Sequence, residues 1–265
     1  MLSLDAFPLP ARRRVKAVLA DIDDTLTTEG RLTAKVVAAM ERLQGAGFLV
    51  LPVTGRPAGW CDHIARMWPV DGVVGENGAF YFRYDRDTRR FTKRYLMSAA
   101  ERAQSRRKLD GLRDKILKEV PGAAVSADQA YREADLAIDY CEDVPRLADD
   151  AVDRIVRIFA TAGATAKISS IHVNGWFGAY DKLSMARVML AECFGMDLDA
   201  EKGACVFVGD SPNDAAMFGF FPNSVGVANV IAFADRLAAK PAYLTPSPAG
   251  AGFVELADAL LAAKG

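Results

Sequence analysis

The sequence predicts an α/β fold in which a doubly wound parallel sheet is interrupted by an inserted α+β unit. Three observations carry that prediction. The first and last thirds alternate short apolar runs with helical patterns. The middle third replaces this rhythm with a hairpin and two strand–helix units. The apolar runs on both sides of the insertion end in polar segments rich in Asp, Thr and Gly. The expected division is a core of residues 1–82 and 178–265 and a cap of residues 83–177.

Val15–Asp21 (VKAVLAD) is a short apolar run suited to a parallel strand buried on both faces. Thr33 then opens a helix, AKVVAAMERLQ, with Gly45 and Gly47 as its stop. Phe48–Val53 is the next strand, TGRP breaks it, and Pro57–Met67 reads as a helix. Gly72–Gly75 is a third strand. After the insertion come a helix from about Lys182 to Phe194, a strand Ala204–Val208, a helix from Asn213, a strand Ser224–Val227 and a closing helix from Gly252.

Within the insertion, Ala79–Tyr84 and Arg90–Met97 flank a DRDT turn as a hairpin. Ser98 with Glu101 makes a capping box for a helix whose Leu109, Leu112, Ile116 and Val120 recur at helical spacing. A strand at Leu136–Tyr140 follows, then a helix opened by Pro145, with Leu147, Ala151, Ile155 and Phe159 inward and Gly163 as its stop. Ala164–Val173 returns as one strand. The insertion is also divided in charge: residues 83–118 hold 13 Lys/Arg and 5 Asp/Glu, whereas residues 119–153 hold 2 and 10. Either the halves solvate and pair with one another, or the basic half steers an anionic substrate.

The 265 residues carry 33 Lys+Arg and 34 Asp+Glu, a formal net charge of −1. That balance offers no excess positive charge for nucleic acid or an anionic membrane. Hydrophobic residues at 51% and charged residues at 25% fit an ordinary globular protein with an adequate core. The four cysteines (Cys61, Cys141, Cys193, Cys205) form no C-x-x-C pair and there are two histidines, which argues against a zinc site or a disulfide framework. Val15–Ala20 is too short for a signal-peptide core, and no run approaches the roughly 18 apolar residues of a membrane span. The expectation is a soluble chain in a reducing, cytoplasmic setting.

The chemistry gathers at strand ends, where ligands bind in a doubly wound sheet. Asp21 and Asp23, two apart in an extended segment, project to one side. Two carboxylates so placed need a cation or a shared proton. Val53-Thr54-Gly55-Arg56 offers a hydroxyl and backbone amides to an anion. Lys182 opens a helix and can neutralise a phosphoryl oxygen. Gly209-Asp210-Ser211-Pro212-Asn213-Asp214 follows the strand CVFVG. Asp210 and Asp214 with Asp21 form an oxygen-rich, hard site suited to Mg²⁺. Each part alone has a plainer reading: an Asx-turn, an ordinary turn, a solvated lysine, a helix N-cap. Their joint order and placement do not.

With its motifs standing as DIDDT, LPVTGRP, the Lys182 of YDKLS and VGDSPND, the chain resembles the haloacid dehalogenase (HAD) superfamily of phosphohydrolases. The insertion resembles the class IIB cap of Cof-type and sucrose-phosphatase-like phosphatases. The resemblance implies a Rossmann-like doubly wound parallel sheet core with an inserted α+β cap domain, Mg²⁺ dependence and an aspartyl-phosphate intermediate. It implies Asp21 as nucleophile and Asp23 as general acid and base. Thr54, Gly55 and Lys182 would hold the phosphoryl group. Mg²⁺ would lie between Asp21, the Asp23 carbonyl and Asp210, supported by Asp214 and Asn213. Two departures stand out: Asp24 replaces a glycine common in class IIB relatives and is expected to face away as a capping residue, and Leu183 follows Lys182 in place of the usual glycine.

Candidate substrate contacts are Arg56, which can meet an anion or pair with a local carboxylate, and Asn77 of Gly75-Glu76-Asn77-Gly78, a tight turn that the family pattern sets near the pocket. Trp176 of NGWFG reads as junction packing before a sugar platform. His172 reads as cap packing and His63 as a surface or core-edge residue. The leading expectation is a Mg²⁺-dependent phosphatase for a small phosphorylated metabolite, most plausibly a sugar phosphate. The alternatives are a phosphosugar mutase using the same aspartyl phosphate and a non-catalytic metabolite-binding protein. No G-x-G-x-x-G or G-x-x-x-x-G-K-[ST] is present to support dinucleotide or NTPase chemistry. Neither the substrate nor the oligomeric state is readable at this stage.

Overall fold

Ala17–Ala20 and Cys205–Gly209 are buried along their whole length, as their continuous apolar sequences require. In the computed structural model, which describes residues 1–264, they lie side by side at the centre of a six-stranded sheet. The order across the sheet is Leu2–Ser3, Tyr243–Leu244, Ser224–Gly226, Cys205–Gly209, Ala17–Ala20 and Leu49–Pro52, and every adjacent pair is parallel. The register sets Val18 opposite Val50 and Val206.

Side-chain alternation divides each strand between two cores. Val18, Ala20, Val206 and Val208 pack with Val36, Met40, Phe253 and Leu256, under the helices Ala34–Gly45 and Ala249–Lys264. Ala17, Leu19 and Phe207 pack with Met185, Met189 and Met217 on the opposite face, under Lys182–Phe194 and Ala215–Phe220. Each such fully buried large side chain contributes about 1.5–3 kcal/mol of hydrophobic stabilisation. Helices on both faces leave the carboxyl ends of the strands as the free, polar edge. This is the predicted doubly wound α/β sheet. The two-residue strands Leu2–Ser3 and Tyr243–Leu244 lie at one edge, too short to leave a periodic signal in the sequence.

A parallel bridge between Val53 and Val74 ties the other edge to an antiparallel sheet of Val73–Gly75, Phe80–Asp85 and Arg90–Tyr95. The predicted hairpin is thus present, and it packs on the core: Phe80 and Phe82 stack at 4.4 Å and bury with Cys61 and Ile64 of the helix Ala58–Met67.

The inserted unit has its own sheet and core. Thr165–Ile168, His172–Trp176, Leu136–Asp139 and Ala124–Val125 pair antiparallel in that order. Helices Ala99–Glu119 and Asp149–Thr161 bury Leu109, Ile116, Ile155 and Phe159 against Leu136, Ile138 and Val173. The Ser98–Glu101 capping box forms as read. Gly175 is required by close approach, since a Cβ there would sit 2.2 Å from the Phe159 ring. Val173 and Gly175 face the cap helices; His172, Asn174 and Trp176 alternate to the other side, toward the core.

Some boundaries differ from expectation. Ala164–Val173 is two strands, because Ser169–Ile171 turns the chain: the Ser169 hydroxyl accepts from the His172 amide (3.0 Å) and donates to the His172 carbonyl (3.1 Å). The helix expected from Pro145 starts at Asp149. The helix expected from Asn213 opens as a 3₁₀ turn, Pro212–Asp214, and the closing helix starts at Ala249 rather than Gly252. Thr33 does mark its helix start, although its side chain makes no capping bond. All four cysteines are free thiols. No helix among the described residues is long and apolar enough to cross a membrane.

Candidate active site

Asp21 leaves the central strand with its amide on the Val208 carbonyl (2.9 Å), so the carboxylate emerges between the two middle strands. Lys182 reaches it from the helix that follows the cap. That helix is capped by Asp181, whose Oδ1 accepts from the Ser184 amide (2.8 Å), so Leu183 in place of a glycine leaves Lys182 as the first helical residue. Lys182 Nζ donates to Asp21 Oδ1 at 2.5 Å and to Asp214 Oδ1 at 2.7 Å. Asp214 Oδ2 accepts from the amides of Asp210 and Ser211, which fixes the loop. Asp210 is steadied by Thr25 and Asn229, each at 3.3 Å.

Asp21, Asp210 and Asp214 bring carboxylate oxygens within 4.8 Å of one another, all buried. One lysine faces these three carboxylates. Burial, with Asp214 and Asp23 nearby, pushes the Asp21 carboxyl up to about 8 in spite of Lys182. Burial followed by Asp21 and Asp214 pushes Asp210 well above the usual range. Burial would lower the Lys182 ammonium, but Asp21 and Asp214 reverse this and hold its proton. A buried all-oxygen donor set with surplus negative charge fits a divalent hard cation such as Mg²⁺.

Asp23 shares a cavity with Asp21, as the two-residue spacing predicts. Its carboxylate is bound by Arg56, with Nε 3.0 Å from both oxygens. Arg56 also reaches Asp128 (3.3 Å) and Glu142 (2.7 Å) and lies over the Trp60 ring at 4.3 Å. Of the two readings of Arg56, the structure shows pairing with local carboxylates.

Thr54 is buried, with its hydroxyl accepting from the Arg56 amide at 3.0 Å. Next to it, a Cβ on Gly55 would stand 3.0 Å from Asn77 Nδ2 and 3.5 Å from Asn174 Oδ1, so a side chain there would crowd the point where three loops converge. Asn77 lies in the left-handed region (φ 53°), as does Glu76 (φ 43°). Gly78 (φ 107°) abuts the Asp181 carbonyl, where no Cβ would fit. This strained turn carries Asn77 into the site, where its Oδ1 accepts from Asn213 Nδ2 (3.3 Å) and its buried Nδ2 has no partner. Asn77 and Asn213 therefore sit together.

The cap closes the cavity with Ser169, Ile171, His172 and Asn174, leaving about 10 Å³, room for roughly one water. His172 faces this cavity, with Nε2 2.8 Å from Glu142 Oε2. Trp176 is buried and stacks on Tyr180 at 5.6 Å, which is the packing role expected of it. His63 is exposed and lies outside the site, lining a larger apolar groove of about 430 Å³ with Trp60, Trp68 and Tyr131. That groove contains none of the clustered carboxylates, so the chemistry belongs to the smaller cavity. Asp24 corrects the sequence expectation. It does not cap and turn away: at φ 55°, it borders a groove of about 320 Å³ with Arg146, Ser170 and Asp210, on the Asp210 side of the site.

Several site residues were not singled out from sequence. Glu76, wholly buried in the core, accepts from the amides of Ala58 (3.0 Å), Glu133 (2.9 Å), Ala134 (2.6 Å) and Asp135 (3.2 Å), the last three belonging to the cap. Arg132 donates to the Gly55 carbonyl at 2.8 Å and is held by Asp128 and Asp135. Asn174 donates to Asp135 at 3.0 Å. The available signal was Arg132, one of two arginines among the ten acids of 119–153, spaced i,i+4 from Asp128 and i,i+3 from Asp135.

Residues 18–106 match the family model of haloacid dehalogenase-like hydrolases, a span that includes Asp21, Asp23 and Thr54. The matched span is about a third of the chain. The fold agrees over nearly the whole length. The chain is similar to Thermoplasma acidophilum 0175 (TM-score 0.70, 17% identity, covering 93% of this chain and 98% of that one). It is similar to the sucrose-phosphatase of Synechocystis sp. PCC6803, whose structure is in complex with sucrose and phosphate (0.63, 15%, 94% and 98%). It is also similar to the C-terminal domain of Candida albicans trehalose-6-phosphate phosphatase (0.67, 13%, 96% and 95%). No curated protein sequence matches the chain. The cluster of Asp21, Asp210, Asp214 and Lys182 falls at the carboxyl ends of the strands, with Asp21 inside the matched span.

Proposed function

We propose that this chain is a Mg²⁺-dependent phosphatase for a small phosphorylated metabolite, probed first with sugar phosphates. The observation that carries the reading is Asp21: a buried carboxylate at the end of the central strand, held by Lys182 and facing the same cavity as Asp23.

In this reading an Asp21 oxygen attacks phosphorus, and the bond to the leaving oxygen breaks as that oxygen takes a proton from Asp23. Asp23 then removes a proton from water as the water attacks the phosphoryl-aspartate. Phosphate leaves and the Asp21 carboxylate is restored. Lys182, the Thr54 hydroxyl and the amide of Gly55 stabilise the transferring phosphoryl oxygens. Asn77 Nδ2, buried and unpartnered, is a further donor for that anion. Mg²⁺ would be held by Asp21, Asp210 and the Asp23 carbonyl, with Asp214 in support, and would supply positive charge against the phosphoryl group. The closed cavity is too small for a sugar, so the cap must lift for substrate to enter, and reclosing over the site excludes bulk water.

The similarity of fold to sucrose- and trehalose-6-phosphate phosphatases supports sugar phosphates as the first compounds to test. Purified protein assayed against a panel of phosphorylated metabolites should release inorganic phosphate with Mg²⁺ and not in EDTA. Full activity in EDTA overturns the mechanism, and an isomerised phosphosugar in place of free phosphate makes the chain a mutase.

A further inference from the structure

The cap side of the cavity has a charge pattern that phosphoryl transfer does not itself need. The guanidiniums that reach it are both matched. Arg56 meets three carboxylates, with Nη2 2.8 Å from Asp23 and 2.7 Å from Glu142, and Nη1 3.3 Å from Asp128. Arg132 is held by Asp128 at 2.8 Å and by Asp135 at 3.1 Å. His172 Nε2 lies 2.8 Å from Glu142 but makes no hydrogen bond. Two guanidiniums thus face Asp23, Asp128, Asp135 and Glu142, and neither is free to meet another anion. Burial would raise the Glu142 carboxyl, but His172 and Arg56 bring it down to about 2, so it stays charged in the neutral range.

The basic half of the cap does not change this. No residue of 83–118 lines the cavity, and the acidic half turns Asp128 and Glu142 toward the core arginine. What remains unspent is hydrogen-bonding capacity. Asn174 commits its amide nitrogen to Asp135 and leaves Oδ1 facing Gly55, 3.5 Å from where a Cβ would stand.

We propose that the alcohol half of the substrate is uncharged and hydroxyl-bearing, and that the enzyme turns away phosphate esters carrying a second anionic group, such as bisphosphates and phosphorylated acids. This rests on the phosphatase reading above. A second phosphate would be buried beside carboxylates with no free guanidinium to meet it, losing more water contacts than it regains. Glu142 and Asp128 are the specificity-determining residues in this account, because they occupy the guanidinium that would otherwise receive the second anion.

The test compares a hexose 6-phosphate with the matching hexose 1,6-bisphosphate at fixed free Mg²⁺, with p-nitrophenyl phosphate as a third monoester. The monophosphate should be favoured in kcat/KM by about tenfold or more, mainly through KM. Glu142→Gln should narrow the gap about fivefold by freeing part of Arg56. Should that variant fail to fold, the comparison of the two esters on the wild-type protein decides alone. A bisphosphate turned over as well as the monophosphate, or a folded Glu142→Gln variant that leaves the gap unchanged, overturns the inference while leaving the phosphatase reading intact. Turnover of p-nitrophenyl phosphate without either sugar ester does the same. No turnover of any of the three with Mg²⁺ overturns the phosphatase reading itself.

Discussion

The two walls of the cavity handle buried charge in opposite ways. On the core wall, Asp21, Asp210 and Asp214 share one lysine, and the carboxyls of Asp21 and Asp210 are pushed upward. On the cap wall, Arg132 and the core's Arg56 that reaches into it are enclosed by carboxylates, and their guanidiniums hold their protons against burial because of Asp135 and Asp23. The core wall is incomplete as charge, and it is where a cation and a phosphoryl group fit. The cap wall is complete, so it serves to position and exclude. Removing a charge should therefore have opposite consequences on the two sides.

The largest effect is on the core wall and is kinetic. Asp21→Asn removes the nucleophile while keeping size and shape, and kcat should fall by about 10³-fold or more, with an unchanged circular dichroism spectrum. Phosphate release near the wild-type rate would remove Asp21 from the mechanism. On the cap wall, Arg132→Met leaves Asp128 and Asp135 without their shared cation and the Gly55 carbonyl without its donor. The expected loss in denaturant unfolding is about 3–5 kcal/mol, the usual cost of breaking a buried pair from one side. A loss under about 1 kcal/mol would mean that this network is not holding the cap to the core.

Asp210→Asn sharpens the contrast. It removes one of three carboxylates crowded around a single lysine, so without Mg²⁺ it should leave stability unchanged or raise it by about 1 kcal/mol. The same variant should lose most of the increase in Tm that Mg²⁺ gives the wild-type protein. Destabilisation in EDTA comparable to that of Arg132→Met would show that the core wall is as balanced as the cap wall.

The same division explains what was legible in the sequence. The core wall is written in short segments at strand ends, DIDDT, TGRP and GDSPND, and an apolar run followed by acids announces both the strand and what it presents. Lys182 was legible because it opens a helix. The cap wall comes from Asp128, Arg132, Asp135, Glu142, His172 and Asn174, on different elements whose convergence depends on how the cap folds over the core. Reading Ala164–Val173 as one strand hid the turn at Ser169–Ile171 that sets the phase of His172 and Asn174. Asp24 was misplaced for a related reason: its left-handed φ is a property of the loop, which residue type alone does not disclose.

Glu76 is where the two walls meet, a core residue gripped by three successive cap amides. Burial, together with Asp135 and against Arg132 and those amides, pushes its carboxyl up to about 7 from an ordinary 4.5. Between those two values the folded protein keeps a proton that the unfolded chain has released. The stabilising contribution of this group is therefore full below about 4.5 and is lost as pH rises through about 7. Glu76→Gln cannot titrate, so it should flatten the pH dependence of Tm across that window. It should also lower stability at every pH, because an amide offers the cap N–H groups one acceptor oxygen in place of two. The change in slope should amount to a few degrees at most, the smallest effect considered. A slope identical to that of the wild-type protein would mean that Glu76 stays ionised, held by its amides alone, and that the latch between core and cap does not loosen as pH rises.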